Sequence, residues 1–235
     1  MGRAFEFRRA RKEKRWGKMS KTFTKIGRQI AMAVKAGGPD PATNARLRTA
    51  IQNAKGANMP KDTVESSIKK AMAKEEGSFQ EATYEGYGPG GVALMIDCAT
   101  DNPTRTVANV RMYFSRNGGT LGQSGSLEFL FEKKGVFRFP SEGIDVESLE
   151  LELIDFGAEE IEVDEGTVYV TTSFADFGTM ARALEERGIA VESAEVQRIP
   201  TNTTQVPEET QESVLSLIEK LEDDDDVQAV YHNMA

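Results

Sequence analysis

Apolar residues in the first third of the chain recur with the 3.6-residue period of amphipathic helices. This period predicts one helix from about residue 20 to residue 35, a second after Pro41 and a third after Pro60. Because helices this short are unstable alone, their apolar faces must pack together, which predicts a three-helix bundle. The apolar stripes comprise Phe23, Ile26, Ile30, Ala33 and Val34 in the first helix, Leu47, Ala50, Ile51 and Ala54 in the second, and Val64, Ile68, Ala71 and Met72 in the third.

Residues 78–134 change to the pattern of an α/β domain. A buried strand is predicted at 92–98, a helix at about 104–115, and a further strand at 127–132 after a loop rich in Gly and Ser. These elements are too few to bury a satisfactory core. We therefore expect residues 205–235, a helix followed by a strand, to return and complete this sheet.

The segment between these two parts has the pattern of a complete small domain. Its predicted elements follow the order βαββαβ, which is the ferredoxin-like arrangement. The predicted fold class is therefore α+β, with an N-terminal three-helix bundle followed by two α/β domains, of which the ferredoxin-like one is inserted in the other. The predicted bounds are a basic arm at 1–19, a helical domain at 20–77, an α/β domain at 78–134 plus 205–235, and the inserted domain at 135–204.

Charge is distributed very unevenly along the chain. Residues 1–80 carry 19 Lys and Arg against 7 Asp and Glu, whereas the remaining residues carry 10 against 31. The N-terminal third is thus +12 and the rest is −21, which gives the net charge of −9. Because a concentrated cationic face attracts polyanions, this asymmetry indicates nucleic acid as a partner.

The candidate nucleic-acid contacts are basic residues of the arm and of the predicted helix surfaces, with one aromatic side chain that can stack on unpaired bases. We expect replacement of the basic residues of the first helix by Gln to weaken binding and to leave stability almost unchanged. The candidates are Arg8, Arg9, Arg11, Lys12, Lys14, Arg15, Trp16 and Lys18 in the arm, and Lys21, Lys25, Arg28, Lys35, Arg46, Arg48, Lys55 and Lys61 in the helical domain.

Three other segments contain possible ligand-binding features. Asn102, Thr104 and Arg105 begin a predicted helix, where they can bind an anion or, with equal support, form a cap and turn. The Gly-rich loop at 118–126 can wrap a phosphate with its amides, although a flexible connection is favoured. The acidic run at 223–226 lacks the spacing of a calcium loop and is expected to be a solvated link.

Other function classes find little support. A single histidine and a single cysteine cannot build a catalytic triad or a zinc site that uses two histidines or several cysteines, so we expect no catalysis, metal, cofactor or small-molecule substrate. The Gly-rich motif at 86–91 precedes a strand and is expected to be a turn rather than a dinucleotide site. The longest apolar run, at 91–96, is far too short to span a membrane, and we expect a cytoplasmic protein.

Six separated segments resemble the YebC-like family, which includes the mitochondrial translational activator of cytochrome oxidase subunit one. The resemblance covers essentially the whole chain and implies a three-domain regulator of gene expression. Its bacterial members are usually described as DNA-binding transcriptional regulators, and some as ribosome-acting translation factors that relieve stalls at proline-rich stretches. The matching segments are KTFTK at 21–25, NAKGANMPK at 53–61, YEGYGPGG at 84–91, TDNPTRT at 100–106, NGGTLGQSGS at 117–126 and VQAVYHN at 227–233.

The sequence therefore predicts a nucleic-acid-binding regulator of gene expression that resembles the DNA-binding members of this family. One alternative is a ribosome-associated translation factor that binds ribosomal RNA, because a basic arm with interleaved aromatic residues suits unpaired RNA. A second alternative is a protein-interaction adaptor that uses the inserted domain or its acidic surface. Charge and periodicity do not choose between DNA and RNA.

Overall fold

A computed structural model describes residues 19–73 and 79–235. The predicted basic arm therefore lies, apart from Met19, outside the described residues, as does the link at 74–78. The described chain folds into a helical domain followed by two α/β domains, each built on a four-stranded sheet. This arrangement agrees with the predicted fold class.

The helical domain consists of α1 (Met19–Gly37), α2 (Ala45–Gly56) and α3 (Lys61–Met72). Their apolar stripes meet in one core, in which Ile30, Leu47 and Ala54 are fully buried. The N-cap of α2 also fixes the end of α1, because the Asn44 side chain accepts from the Leu47 amide at 3.0 Å and donates to the Ala33 carbonyl at 2.7 Å. Met72 is an exception to the predicted stripe, since it is 59% exposed at the last position of α3.

The first α/β domain contains β1 (Gln80–Tyr87), β2 (Ala93–Thr100), α4 (Pro103–Arg116) and β3 (Thr120–Leu121). The chain returns to it at its C-terminal end with α7 (Glu208–Glu222) and β8 (Val227–His232). Strand β8 pairs antiparallel with β2, and the sheet order is β3-β1-β2-β8. The predicted return of the last helix and strand is thus confirmed, and α4 and α7 enclose a core with this sheet.

The second α/β domain contains β4 (Phe131–Pro140), α5 (Val146–Ile154), β5 (Ala158–Asp164), β6 (Thr167–Ser173), α6 (Phe177–Glu186) and β7 (Ser193–Pro200). Its strands lie in the antiparallel order β5-β6-β4-β7, so both termini of the unit occupy neighbouring strands, as in ferredoxin-like folds. Strands β5 and β6 join through Glu165 and Gly166, which both adopt positive φ angles. The predicted βαββαβ order is confirmed.

The predicted strand at 127–132 is wrong over most of its length. Residues Glu128–Leu130 form a 3₁₀ turn, and β4 begins only at Phe131. The apolar residues that suggested a strand serve another purpose, because Leu127 and Phe131 pack with Met95 and Tyr231 against the reverse face of the first sheet. This shared apolar cluster joins the two α/β domains. The motif at 86–91 begins in the last two residues of β1, and its remainder forms the predicted turn before β2, with a 3₁₀ turn at Pro89–Gly91.

Candidate nucleic-acid interface

The basic face of α1 is turned toward the first α/β domain. Lys21 Nζ lies 2.9 Å from Asp223 Oδ1, and Lys25 Nζ lies 3.5 Å from the Gln228 carbonyl oxygen. Both contacts join residues more than 200 positions apart in the chain. The helix face that charge patterning assigned to nucleic acid therefore contacts the link between α7 and β8 and the start of β8 itself.

Arg28 is the most deeply engaged residue on this face. Its Nη1 donates to Asp226 Oδ1 at 2.6 Å and to the Ala99 carbonyl at 2.7 Å, and its side chain is only 15% exposed. The guanidinium also lies 4.9 Å from the centroid of the Phe79 ring, at the start of the α/β part. The expectation that Gln at these positions leaves stability unchanged is thus corrected, since losing Arg28 removes a buried ion pair.

Asp226, the partner of Arg28 in this contact, also accepts hydrogen bonds from two residues of α4. Arg105 Nη2 lies 2.8 and 3.0 Å from its two carboxylate oxygens, and the Thr106 hydroxyl lies 2.7 Å from Oδ2. Burial opposes ionisation of the carboxyl, but hydrogen bonds from Arg105, Thr106 and Arg28 outweigh it and lower the pKa of Asp226 to about 2. Asp226 is therefore an ionised carboxylate held between two guanidinium groups.

The acidic run at 223–226 is not uniformly solvated, which corrects the sequence-based expectation. Asp223 and Asp225 are exposed, but Asp226 is only 3% exposed. The difference arises because the Asp226 backbone also joins the sheet, its carbonyl accepting from the Ala99 amide at 2.8 Å. The run is a link whose last residue belongs to the interior.

The predicted anion contacts at the start of α4 have partners within the chain. Asn102 caps the helix, since its Oδ1 accepts from the Arg105 amide at 3.1 Å. Arg105 pairs with Asp101 at 2.9 Å as well as with Asp226. Thr104 is exposed. The predicted cap is present, and Arg105 pairs with carboxylates of the protein itself.

A second internal carboxylate occupies the Gly-rich loop after α4. The Glu85 side chain is 4% exposed and accepts from the amides of Gly125 and Leu127, each at 2.7 Å. The Gly122 amide donates to the Glu85 carbonyl at 2.7 Å. Two of the amides that were considered for phosphate, those of Gly122 and Gly125, therefore bind Glu85, and these hydrogen bonds connect the loop to β1. Glu85 was not predicted, because a lone Glu in a strand gives no signal of burial.

The other basic candidates of the helical domain are mostly exposed to solvent, and several of them also lie near acidic side chains. Arg46 forms an ion pair with Glu81, and Arg48 Nε lies 4.0 Å from Glu185 Oε2. Lys61 is 88% exposed and lies 3.8 Å from Glu65. The exposed lysines of the described helical domain are Lys35, Lys55, Lys61, Lys69 and Lys70, of which the last two were not predicted.

The segment at 53–61 docks the helical domain on the inserted domain. The Asn53 side-chain amide donates to the Ala194 carbonyl at 2.9 Å, and its Oδ1 accepts from the Ala194 amide at 2.8 Å. Ala194 lies on β7, an edge strand of its sheet. Beside it, a Cβ atom on Gly56 would lie only 1.8 Å from the Glu192 carbonyl oxygen. Close backbone approach requires glycine at this position.

Two further features bear on the function classes. Among residues 19–73 and 79–235, no three His, Cys, Asp or Glu side chains converge as metal ligands, and no helix is long and apolar enough to cross a membrane. Cys98 is buried in β2, where burial raises the pKa of its thiol.

Known proteins resemble the chain over its whole length. Residues 3–74 match the N-terminal domain of the TACO1/YebC proteins, and residues 79–234 match their second and third domains. A protein of Cytophaga hutchinsonii named probable transcriptional regulatory protein is 57% identical over 100% of this chain and 99% of its own. A protein of the same name from Parabacteroides distasonis is 54% identical over 100% of this chain and 97% of its own.

A solved structure supports the same assignment. The crystal structure of a conserved hypothetical protein from Aquifex aeolicus superposes with a TM-score of 0.84 at 40% identity, covering 95% of this chain and 93% of that one. The domain order, the insertion and the sequence matches therefore lead to one conclusion: this chain belongs to the TACO1/YebC family.

Proposed function

We propose that this protein is a non-catalytic regulator of gene expression that binds nucleic acid through its N-terminal part. The observation that carries the proposal is the charge asymmetry, with 19 basic against 7 acidic residues in the first 80 positions and the opposite balance afterwards. The names of relatives more than 50% identical to the chain, probable transcriptional regulatory protein, support the regulatory part of the proposal.

The basic residues of the helical domain differ in how accessible their side chains are to a phosphate group. Lys21, Arg28 and Arg46 form ion pairs with residues of the α/β domains. The lysines that are exposed to solvent lie on α2, on α3 and at the end of α1. We expect these lysines and the basic residues of the arm to contact phosphate, and the acidic α/β domains disfavour indiscriminate binding elsewhere. The proposed contacts are the arm residues Arg8, Arg9, Arg11, Lys12, Lys14, Arg15, Trp16 and Lys18 and the lysines Lys35, Lys55, Lys61, Lys69 and Lys70.

The test replaces Arg8, Arg9, Arg11 and Lys12 together by Gln in the full chain and measures fluorescence anisotropy of oligo(U) RNA and of a duplex DNA. The control variant replaces four exposed basic residues of the α/β domains by Gln, namely Arg111, Arg116, Lys133 and Arg182. The arm variant is expected to lose affinity for at least one probe many-fold more than the control does. Equal losses would refute the assignment to the N-terminal part.

Salt dependence provides a second measurement on the wild-type protein. If about six basic residues contact phosphate, log K against log salt should have a slope near −4 on single strands and near −5 on duplex DNA, because each contact releases condensed counterions. A slope near zero would contradict the electrostatic argument.

A ribosome-associated translation factor is the second candidate. This candidate is favoured by the aromatic residues Phe5, Phe7 and Trp16. They stand among the basic residues of the arm and suit stacking on unpaired RNA bases. Sedimentation of a cell lysate in a sucrose gradient separates the two candidates. Co-sedimentation with ribosomes that is lost in the arm variant supports this candidate, and co-sedimentation with the nucleoid supports the transcriptional one.

A further inference from the structure

The contacts between the three domains differ in chemistry. The two α/β domains share a buried apolar cluster that includes Met95, Leu127, Phe131 and Tyr231. By contrast, the buried residues of the apolar cluster of the helical domain all lie within 26–71, and among the described residues of the α/β part only the partly buried Phe79 packs against this cluster. Ion pairs and hydrogen bonds tie this domain to the other two. Exposed ion pairs such as Lys21–Asp223 weaken with salt, and water or competing ions can replace polar contacts more readily than apolar ones, so the helical domain is the unit best suited to detach.

Release of α1 would not leave a buried carboxylate without a partner. Asp226 binds two guanidinium groups, and only Arg28 belongs to the helical domain. Arg105 and Thr106 lie on α4 and remain in place when α1 leaves. The large penalty for breaking a buried ion pair comes from an uncompensated charge, and here Arg105 supplies the compensation. Asp226 can therefore lose its ion pair with Arg28 while it keeps its ion pair with Arg105.

The face that α1 would release is suited to phosphate. Lys21, Lys25 and Arg28 follow one another at spacings of four and three, so they lie on one side of the helix. In the docked state they contact residues 223–228, most of which are acidic. Carboxylate and phosphate oxygens accept the same charge-assisted hydrogen bonds from Lys and Arg, so the two groups compete for one set of donors.

We propose that the acidic residues Asp223 and Asp226 are an internal competitor for nucleic acid, holding the Lys21, Lys25 and Arg28 face of α1 until a phosphate backbone displaces them. This autoinhibitory contact rests on the proposed function. Docking engages these three cations in contacts within the chain, and undocking makes all three available to phosphate.

The experiment uses a substitution that separates the helical domain from the α/β part without changing the charge of the protein. Gly56→Ala places a Cβ only 1.8 Å from the carbonyl oxygen of Glu192, the residue before β7, so α2 has to move away from this part of the inserted domain. Gly178→Ala is the matched control, because no atom lies within 4 Å of a Cβ at that helical position. Asp223→Asn weakens the docked state from the other side, with Asp225→Asn as a control that makes the same charge change at the exposed residue two positions on.

Two quantities are measured for each variant and for the wild type. Hydrogen exchange of α1 amides without nucleic acid reports docking, and anisotropy reports affinity for oligo(U) RNA and duplex DNA. Gly56→Ala and Asp223→Asn are expected to speed α1 exchange and raise affinity several-fold over their controls. If all three released cations contact phosphate, the salt slope on oligo(U) should steepen by about 2. Higher salt should also speed α1 exchange in the wild type.

The outcomes separate this proposal from the proposed function. Faster α1 exchange without a gain in affinity would overturn the competitor role, while wild-type binding would still support nucleic-acid recognition. Unchanged α1 exchange in both variants would also overturn it, because the interface would not be releasable. The proposed function itself is refuted if neither probe binds to the wild type or to a variant, Gly56→Ala or Asp223→Asn, in which α1 exchange is faster.

Discussion

Replacing Asp226 by Asn tests whether a single carboxylate holds the helical domain against the α/β part. The substitution keeps the shape of the side chain but removes its charge. In the structure this charge faces Arg28 at 2.6 Å and Arg105 at 2.8 Å, and the residue is 3% exposed. Two guanidinium groups would then face a neutral amide, whose Nδ2 can no longer accept a hydrogen bond.

The magnitude follows from the pKa of Asp226. The folded protein lowers this pKa from 3.8 to about 2. At about 1.4 kcal/mol for each pH unit between the two values, the ionised carboxylate contributes about 2 kcal/mol to the free energy of unfolding at pH 7. Because the folded pKa is the lower one, this contribution is complete above pH 3.8 and is lost as the pH falls through about 2.

Urea denaturation followed by far-UV circular dichroism measures this contribution for the wild type, Asp226→Asn and the control Asp225→Asn. The control makes the same charge change at the neighbouring exposed position. At pH 7 we expect a loss of about 2 kcal/mol for Asp226→Asn and less than about 0.5 kcal/mol for the control. The difference between Asp226→Asn and the wild type should shrink as the pH falls from 3.8 towards 2. Equal stability of the two variants at pH 7, or a difference that does not change with pH, would refute the reasoning.

Three further predictions concern other buried contacts. Glu85→Gln should lower the free energy of unfolding by about 1–3 kcal/mol in urea denaturation, because the amide nitrogen would face a backbone donor of the Gly-rich loop; an unchanged midpoint would contradict this role. Asn53→Ala should speed hydrogen exchange of β7 at its contact with α2, since the backbone of this edge strand loses both hydrogen bonds to the side chain; unchanged exchange there would contradict the docking role. A fragment of residues 131–200 should unfold cooperatively on heating and should not bind oligo(U) RNA. It should also be more stable than a fragment of residues 135–199, which truncates β4. Tight RNA binding by either fragment would contradict the assignment of nucleic-acid binding to the N-terminal part.

Much of the fold was determined by local sequence patterns. The 3.6-residue period defined the bundle helices, and the alternation of predicted strands and helices gave the βαββαβ order of the inserted domain. Both signals are local, because the hydrophobic effect requires each element to bury one face wherever the rest of the chain lies. Patterning failed at 127–130, where apolar residues cover the reverse face of a sheet in a 3₁₀ turn, since burial alone does not specify an extended backbone.

Only the tertiary structure decided which charges face solvent. The sequence showed that α1 has a basic face and that residues 223–226 are acidic, but it did not show that Arg28 and Asp226, 198 positions apart, form one buried ion pair. Nor did it show that Glu85 occupies the amides of a loop some 40 positions away. Charged residues give the same sequence signal whether they are solvated or paired. Pairing depends on distances between elements that packing alone brings together, and those distances determine which cations remain for a partner.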